Sequence, residues 1–156
     1  MKFKIVAVGK IKESYLKDAL GEYVKRISRF ANVEIVEIDE CLSKVAQKQS
    51  EIERVKKQEG DAILSKLEGY VVAMDIDGKL MSSEELSAHI SEQKERNSVF
   101  TFVIGGSNGL SDLVLARADL RCSFGKITLP HQLFRVVLTE QLYRACCIEN
   151  NISYHK

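Results

Sequence analysis

The chain has 156 residues, of which 45% are hydrophobic and 29% are charged, and its 23 basic and 22 acidic side chains leave a net charge of +1. This composition is typical of one soluble globular domain over 1–156 and lacks the strongly basic balance of many nucleic-acid-binding domains. Because no apolar run approaches the roughly 18 residues of a membrane span, the composition excludes an integral membrane protein.

Apolar residues follow strand-like and helix-like patterns in alternation along the chain. The expected strands cover residues 3–8, 33–38, 70–76 (closed by Asp77-Gly78), 99–104 and a short segment around Gly125 within 121–129. The expected helices cover 13–29, 48–67, 82–96, 111–118 and 130–148, with a polar loop over 39–47 and a tail over 149–156. Strands that alternate with helices predict an α/β fold, a mostly parallel sheet covered by helices on both faces.

Local patterns predict how several helices begin and which side they bury. A capping box at Ser82-Ser-Glu-Glu85 and a proline at 130 mark two helix starts. The first helix is expected to turn inward the residues Tyr15, Leu16, Ala19, Leu20, Tyr23 and Ile27. The last helix is expected to bury Leu133, Val137, Leu138, Leu142 and Ala145, and to project Arg135, Glu140, Gln141 and Arg144, with an ion pair from Glu140 to Arg144.

A glycine-rich turn follows the fourth expected strand. The apolar run Val99–Ile104 leads directly into Gly105-Gly106-Ser107-Asn108-Gly109. Glycine allows a close approach of the backbone to a bound molecule, and ligands bind at the carboxyl ends of strands in open α/β sheets. A simple tight turn between strand and helix explains the same residues equally well. The turn is therefore a candidate ligand site.

Several familiar sites are excluded by spacing. The glycines here lie late in the chain in the order G-G-x-x-G, unlike a dinucleotide fingerprint, and Leu120 and Ile127 occupy required positions of a P-loop. The histidines lack metal-ligand spacing, and His89 is expected to be a solvated helix residue. The four cysteines have no C-x-x-C spacing, which favours reduced thiols and a cytoplasmic location. Group transfer or simple binding remains.

Basic side chains are spread unevenly. They follow the first strand and lie along the first helix, at Lys10, Lys12, Lys17, Lys25, Arg26 and Arg29. A second group near the C-terminus consists of Arg135, Arg144, His155 and Lys156. Either a basic face for RNA or an ordinary solvated helix surface accounts for this pattern.

Five motifs together resemble one family. They are VAVGK after the first strand, DIDGK at 75–79, VIGGSNGL at 103–110, LPHQLFRVVLTEQLYRA at 129–145 and the terminal YHK. The set is similar to the bacterial large-subunit (23S) ribosomal RNA pseudouridine N3-methyltransferases, of the SPOUT class. The resemblance covers the whole chain, is loose over 39–60, and is most specific in the last two long motifs.

The resemblance implies a C-terminal trefoil knot, a homodimer, the cofactor S-adenosylmethionine, no metal and no membrane contact. It implies that the cofactor contacts are Met74, Gly105, Phe124, Gly125, Lys126, Ile127, Thr128 and Leu129. The implied reaction is methylation of a pseudouridine N3 in large-subunit ribosomal RNA within the ribosome. His155 is the candidate base, supported by Tyr154, and Arg144 is a candidate for holding phosphate or offsetting developing negative charge.

Two other interpretations remain open on the residues alone. The chain is alternatively a non-catalytic RNA- or ribosome-binding α/β module with a vestigial cofactor pocket. A second alternative is a small α/β enzyme that binds a nucleotide cofactor through the glycine turn. Binding of S-adenosylmethionine separates the first from an enzyme, and competition by adenosylhomocysteine but not by dinucleotides excludes the second.

Overall fold

The computed structural model describes residues 1–41 and 48–156. The strands are β1 (Lys2–Val8), β2 (Asn32–Ile38), β3 (Tyr70–Leu80), β4 (Val99–Ile104) and β5 (Leu120–Ser123). The helices are α1 (Ser14–Ile27), α2 (Gln49–Leu64), α3 (Ser83–Gln93), α4 (Asp112–Arg117) and α5 (His131–Glu149). Within the described ranges, the strands form one five-stranded parallel sheet in the order β2-β1-β4-β3-β5. The predicted α/β class is confirmed, whereas most of the loop expected over 39–47 lies outside the described residues.

Helices cover both faces of the sheet, as predicted. Side chains of β1 alternate, so Phe3 and Ile5 pack in one core with residues of α1, α3 and α5. Val6 and Val8 point the other way, into a second core with residues of α2 and α4. Because both faces of β1 are buried, its sequence reads as a nearly continuous apolar run.

Helices α3 and α5 are parallel and are joined by a ladder of serine hydrogen bonds. Ser83 Oγ lies 2.6 Å from Gln141 Oε1, and Ser87 Oγ donates to the carbonyl of Ala145 at 2.9 Å. The next turn repeats the contact between Ser91 Oγ and Glu149 Oε1 at 3.0 Å. Each pair is separated by 58 residues, so the two helices advance together turn by turn. The predicted capping box that begins α3 is confirmed.

The ends of β3 and β5 differ from the prediction. β3 continues through Gly78 to Leu80, because a shift of register after Met74 lets its last residues pair again with β5. A Cβ at Gly78 would lie 2.6 Å from the backbone of Arg121, so glycine permits this close approach. β5 ends before Gly125, where the chain turns with φ +135°. The prediction of a strand around Gly125 was wrong.

Two side chains outside α5 also differ from expectation. Tyr15 is 67% exposed, because it lies five residues from the buried Leu20, about 140° around the helix from the inward stripe. His89 is half-buried rather than solvated, and its Nε2 lies 2.9 Å from the hydroxyl of Tyr70. Burial lowers the pKa of His89, which favours a neutral ring against Tyr70.

The inward stripe of α5 contains an arginine. Arg135 was expected to project outward, but its side chain is fully buried, three residues before Leu138 and seven before Leu142. Leu133, expected in the core, is 38% exposed. The prediction for Arg135 was wrong because it took a charged side chain to belong on the exposed side of the helix. A guanidinium can be buried when it finds partners there.

Arg135 has two partners at the carboxyl edge of the sheet. Its guanidinium donates to the carbonyl of Gly9 and to Glu37 Oε1, both at 2.8 Å. The same Glu37 oxygen accepts the backbone N–H of Ile11 at 3.2 Å. Burial lowers the pKa of Arg135 and the Glu37 hydrogen bond opposes that effect. One buried cation thus joins α5, β2 and the loop after β1.

Replacing Arg135 tests this joint. Arg135→Met should lower the free energy of unfolding by about 2 kcal/mol, because the Gly9 carbonyl loses its donor in a buried place. Glu37 stays partly hydrated, which limits the loss. Urea denaturation measures the change, and the exposed Arg54→Met serves as a control expected to change stability by less than about 0.5 kcal/mol. Equal effects of the two substitutions would contradict the prediction.

Candidate functional site

The ends of β4 and β5 lie on either side of Met74 in β3, toward the carboxyl edge of the sheet. Met74 of β3 is the register partner of Ile104 in β4 on one side and of Cys122 in β5 on the other. Gly105 follows Ile104 directly, and Phe124 comes two residues after Cys122. The fold therefore brings the candidate cofactor residues Met74, Gly105 and Phe124 to one place. Ligands bind at this edge in open α/β sheets.

The glycine turn after β4 is too tight for side chains at its first position. The N–H of Gly109 donates to the carbonyl of Gly106 at 3.0 Å, and Gly109 has φ +78°. A Cβ at Gly105 would lie 2.9 Å from the backbone carbon of Gly109 and 3.1 Å from its oxygen. The turn thus folds back on Gly105 and leaves backbone, rather than side chain, beside Met74.

The segment after β5 is fastened at its start. Ser123 Oγ accepts the N–H of Gly125 at 3.1 Å, which bends the chain away from the sheet. Lys126 Nζ then donates to the carbonyl of Ile76 at 3.0 Å and to Asp77 Oδ1 at 2.9 Å. The hydrogen bond from Lys126 holds the pKa of Asp77 below its ordinary value. The Lys126 side chain therefore points to the end of β3.

The rest of this segment is open. Residues 127–129 are exposed, and Ile127 is 81% exposed. Behind them, the ring of Phe124 packs against Phe134 of α5 with centroids 5.8 Å apart. The run from Phe124 to Leu129 consequently forms an exposed strap between β5 and α5, next to the strand ends.

The three candidate catalytic residues are in contact with one another. The ring of Tyr154 lies under the guanidinium of Arg144, 4.7 Å from the centroid, and its hydroxyl donates to Glu140 Oε1 at 3.0 Å. Arg144 also binds Glu140, as predicted, at 2.5 Å. His155 follows, with its Nδ1 3.4 Å from Arg144 Nη1. The tail thus returns along α5 instead of extending into solvent.

The contacts of His155 define its tautomer. A guanidinium only donates, so Nδ1 of His155 accepts from Arg144. The proton of the neutral ring then sits on Nε2, which lies 2.6 Å from Glu84 Oε1. We assign this tautomer from the hydrogen-bond network. Both ring nitrogens are engaged, and the basic lone pair is the one that faces Arg144.

The start of α3 connects the strand ends to the tail. The N–H of Met81 donates to the carbonyl of Ser123 at 3.1 Å, and Ser83 contacts Gln141 of α5. Glu84, on the first turn of α3, contacts His155. Three residues within the stretch 81–84 therefore touch the end of β5, the middle of α5 and the candidate base.

Two polar groups near this edge were not among the predicted site residues. Arg135 was assigned to the wrong side of its helix, and Glu59 of α2 was not singled out, although it is 3% exposed and lies against Gly106. One signal was available for Glu59. The next residue, Gly60, is a glycine within a helix, and a Cβ there would meet Ser111 at 2.3 Å. A glycine within a helix often marks such a close approach.

The basic side chains along α1 do not form one continuous free patch. Arg26 pairs with Glu22 at 2.8 Å and lies over the ring of Tyr143 of α5. Lys10 and Lys17 border a cavity of about 460 Å³ between α1 and β2, whose other lining residues are Ile11, Leu20, Gly21, Val24, Ile35 and Glu37. This cavity is lined by different residues from the group formed by Met74, Gly105 and Phe124.

Thiol and metal chemistry find no support at the site. Burial raises the pKa of Cys122 to about 11, so the thiol next to Met74 stays protonated at neutral pH. Within the described part of the chain there is no cluster of three or more His, Cys, Asp or Glu side chains that could hold a metal. The helices described there also include none long and apolar enough to cross a membrane.

The sequence of the chain matches one protein family over nearly its whole length. The model of a family described as "Predicted SPOUT methyltransferase" matches residues 1–155. The chain belongs to the SPOUT methyltransferase family. A relative from Streptococcus pneumoniae (strain CGSP14), named ribosomal RNA large subunit methyltransferase H, is 48% identical over 159 residues and covers 100% of both chains. The same identity and coverage hold for the protein of that name from Streptococcus pneumoniae strain JJA.

Solved structures share the SPOUT fold at much lower identity. A "probable methylase family protein" from Haemophilus influenzae Rd KW20 superposes with a TM-score of 0.56 at 11% identity, covering 99% of this chain and 70% of its own. Lpg2936 from Legionella pneumophila, solved in complex with the bound cofactor SAM, gives a TM-score of 0.51 at 10% identity, covering 93% and 66%. These likenesses concern the fold, which both chains share with this SPOUT protein.

The docking of the tail predicts how Tyr154 titrates. Burial and the hydrogen bonds with Tyr23 and Glu140 raise the pKa of Tyr154. The contribution of the protonated Tyr154 hydroxyl to folding stability is complete below the ordinary tyrosine pKa of about 10. It is lost as the pH rises through the raised pKa of Tyr154. In an ultraviolet titration, the step that Tyr154→Phe removes should lie well above pH 10 or so. If Tyr154→Phe instead removes a titration step at the ordinary tyrosine pKa, docking of the tail is contradicted.

Proposed function

We propose that this SPOUT methyltransferase transfers a methyl group from S-adenosylmethionine to N3 of a pseudouridine in large-subunit ribosomal RNA. The observation that carries the proposal is the convergence of Met74, Gly105 and Phe124 through the shared register of β3. These positions are the cofactor contacts that the sequence motifs imply. The full-length similarity to the Streptococcus pneumoniae ribosomal RNA methyltransferase supports the substrate class.

The strand ends suit an uncharged, backbone-lined pocket for the adenosyl group. No side chain fits at Gly105, so an adenosyl group held there would meet backbone. Gly125 to Leu129 form the exposed strap that would cover it, and the ammonium of Lys126 is already bound to Asp77. A cationic sulfonium therefore meets no free lysine from this segment. When bound, S-adenosylmethionine supplies an activated methyl group.

His155 is the proposed base. N3 of the pseudouridine must lose its proton as it forms a bond to the methyl carbon, while the carbon–sulfur bond breaks and its electrons stay on sulfur. The lone pair on His155 Nδ1 accepts that proton once the ring separates from Arg144, and Glu84 keeps hold of the Nε2 proton. Nη1 of Arg144, no longer in contact with His155, then faces the negative charge that develops on the imide, while Glu140 still holds the guanidinium.

Assembly and substrate follow from the same family relation. We infer that the chain is a single domain that works as a homodimer in the cytoplasm and acts on ribosomal RNA within the ribosome. We also infer a C-terminal trefoil knot. This inference rests on membership of the SPOUT family.

Gly105 is the sharpest test of the cofactor pocket. Gly105→Val should abolish binding of S-adenosylhomocysteine, because the new side chain collides with the backbone of Gly109. Titration calorimetry measures binding, and circular dichroism reports whether the fold is retained. Gly21→Ala is the control, since a Cβ there meets nothing within 4 Å. A folded Gly105→Val protein that binds like the wild type would make the turn merely structural.

The tail tests the chemical step. Removing Tyr154, His155 and Lys156 should leave cofactor affinity nearly unchanged and abolish methyl transfer. His155→Ala alone should lose about a hundredfold or more of the rate, the usual contribution of a general base. The assay is transfer of tritium from labelled S-adenosylmethionine to ribosomes from a strain that lacks this gene.

Ile152→Ala, an exposed change in the same tail, is the control and should transfer at the wild-type rate. Wild-type transfer of tritium to these ribosomes tests the proposed function itself. If the wild type transfers methyl groups and the truncated protein does so equally fast, the tail has no catalytic part, and Arg144 becomes the leading catalytic residue through its charge.

A further inference from the structure

Glu59 is a buried carboxyl group that the mechanism above does not use. It lies near the end of α2, on the opposite face of the sheet from α5, and only 3% of it is exposed. One oxygen, Oε1, accepts the backbone N–H of Cys41 at 3.1 Å. The other, Oε2, is buried and has no hydrogen-bond partner among the described residues. Buried carboxyl oxygens are rarely left without a donor, so this one calls for an explanation.

The unpartnered oxygen lies against the glycine turn. A Cβ built on Gly106 would be 3.0 Å from Oε2 and 3.3 Å from Oε1 of Glu59, and 3.0 Å from Val8. Only a glycine at 106 lets the backbone reach the carboxyl group so closely. The backbone of the glycine turn therefore lies beside the carboxyl group of Glu59. Gly105, on the other side of this turn, is the proposed cofactor contact.

We propose that Glu59 is a positioning residue for the cofactor pocket, whose free oxygen accepts a backbone N–H of the Gly105–Gly109 turn when the cofactor is bound. The inference rests on the proposed function, since it assigns the cofactor to this turn. Binding draws the turn onto Glu59, and the ionised carboxylate holds it there. The same side chain keeps Cys41 in place, so the pocket is braced from the second core as well as from the sheet.

The charge state of Glu59 links this contact to pH. Burial raises the pKa of Glu59, the Cys41 N–H opposes the rise, and the neighbouring Glu40 adds to it. The described groups that face it are Glu40 and Cys41 from the connection after β2, and Ser107, which donates to Glu40. Val8 of β1 is apolar. Because the ionised form is the acceptor, cofactor affinity should rise as the pH rises through the raised pKa and then level off.

Glu59→Gln separates this role from packing. The glutamine oxygen still accepts from Cys41, but an amide NH₂ replaces the free acceptor. The dissociation constant of S-adenosylhomocysteine should increase about tenfold or more, as for loss of a hydrogen bond to a charged group. The KM for S-adenosylmethionine should rise in parallel while kcat stays close to that of the wild type. Glu53→Gln, an exposed change on the same helix, is the control.

Calorimetry with S-adenosylhomocysteine between about pH 5 and pH 7 decides the matter, since this range lies above the pKa of the ligand's carboxyl group and below that of its amino group. Wild-type affinity should rise with pH, and that of Glu59→Gln should stay flat. If the wild type does not bind at all, the cofactor proposal fails. If the wild type binds with an affinity that is flat with pH, or the glutamine variant matches it throughout, the positioning role is overturned. Should the variant not fold, the pH dependence of the wild type decides alone.

Discussion

The parallel pairing of β3 with two neighbours at once determines the candidate site. Met74 sits between Ile104 and Cys122 in the register, so the turns after β4 and β5 begin at the same height. β5 has only four residues and depends on the second pairing beyond Gly78 to hold it against β3. Because β3 and β4 are buried on both faces around Met74, sliding one strand by a single residue would send each side chain into the opposite core. Packing therefore fixes where the loops start.

Two buried charged groups hold the loops at this edge from opposite faces. Arg135, in the layer of α5, fixes the loop after β1 through Gly9, and Glu59, in the layer of α2, lies under the turn after β4 at Gly106. Interactions of buried polar groups are strong when satisfied and costly when not. Arg135 itself keeps its Nε unpaired within the described structure. A buried cation therefore lies beneath the loop after β1, and a buried carboxyl group lies beneath the turn after β4.

Much of the fold was accessible from periodicity, because strands buried on both faces read as apolar runs and amphipathic helices as stripes. The limits of β4 and the capping box of α3 were predicted correctly. The errors at Gly78 and Arg135 share a cause, which is that partners distant in sequence decide the outcome. Gly78 belongs to a strand because Arg121 lies beside it, and Arg135 is buried because Gly9 and Glu37 receive it. No local pattern contains that information.

The candidate site divides in the same way. The motifs brought Met74, Gly105 and the tail residues to attention, and the structure adds how each group is held together. Glu84 carried no sequence signal, and the signal for Glu59 lay only in the neighbouring Gly60, since a carboxylate in a charged helix resembles any solvated residue. Their contacts with His155 and Gly106 come from the packing of α3 and α2.

The serine hydrogen bonds between α3 and α5 fix the position of α3 along α5, and with it the position of the carboxylate that contacts the tail. The rungs of this serine ladder recur at a constant separation, so α3 can move along α5 only by breaking all of them or by jumping a full turn, about 5.4 Å. Glu84 sits beside the first rung and therefore has its height on α5 set by the rungs further along. The tail continues directly from α5, so both His155 and its partner Glu84 are positioned relative to α5, one through the chain and the other through the serine hydrogen bonds. The three serines of α3 thus align the contact between Glu84 and His155, although none of them takes part in it.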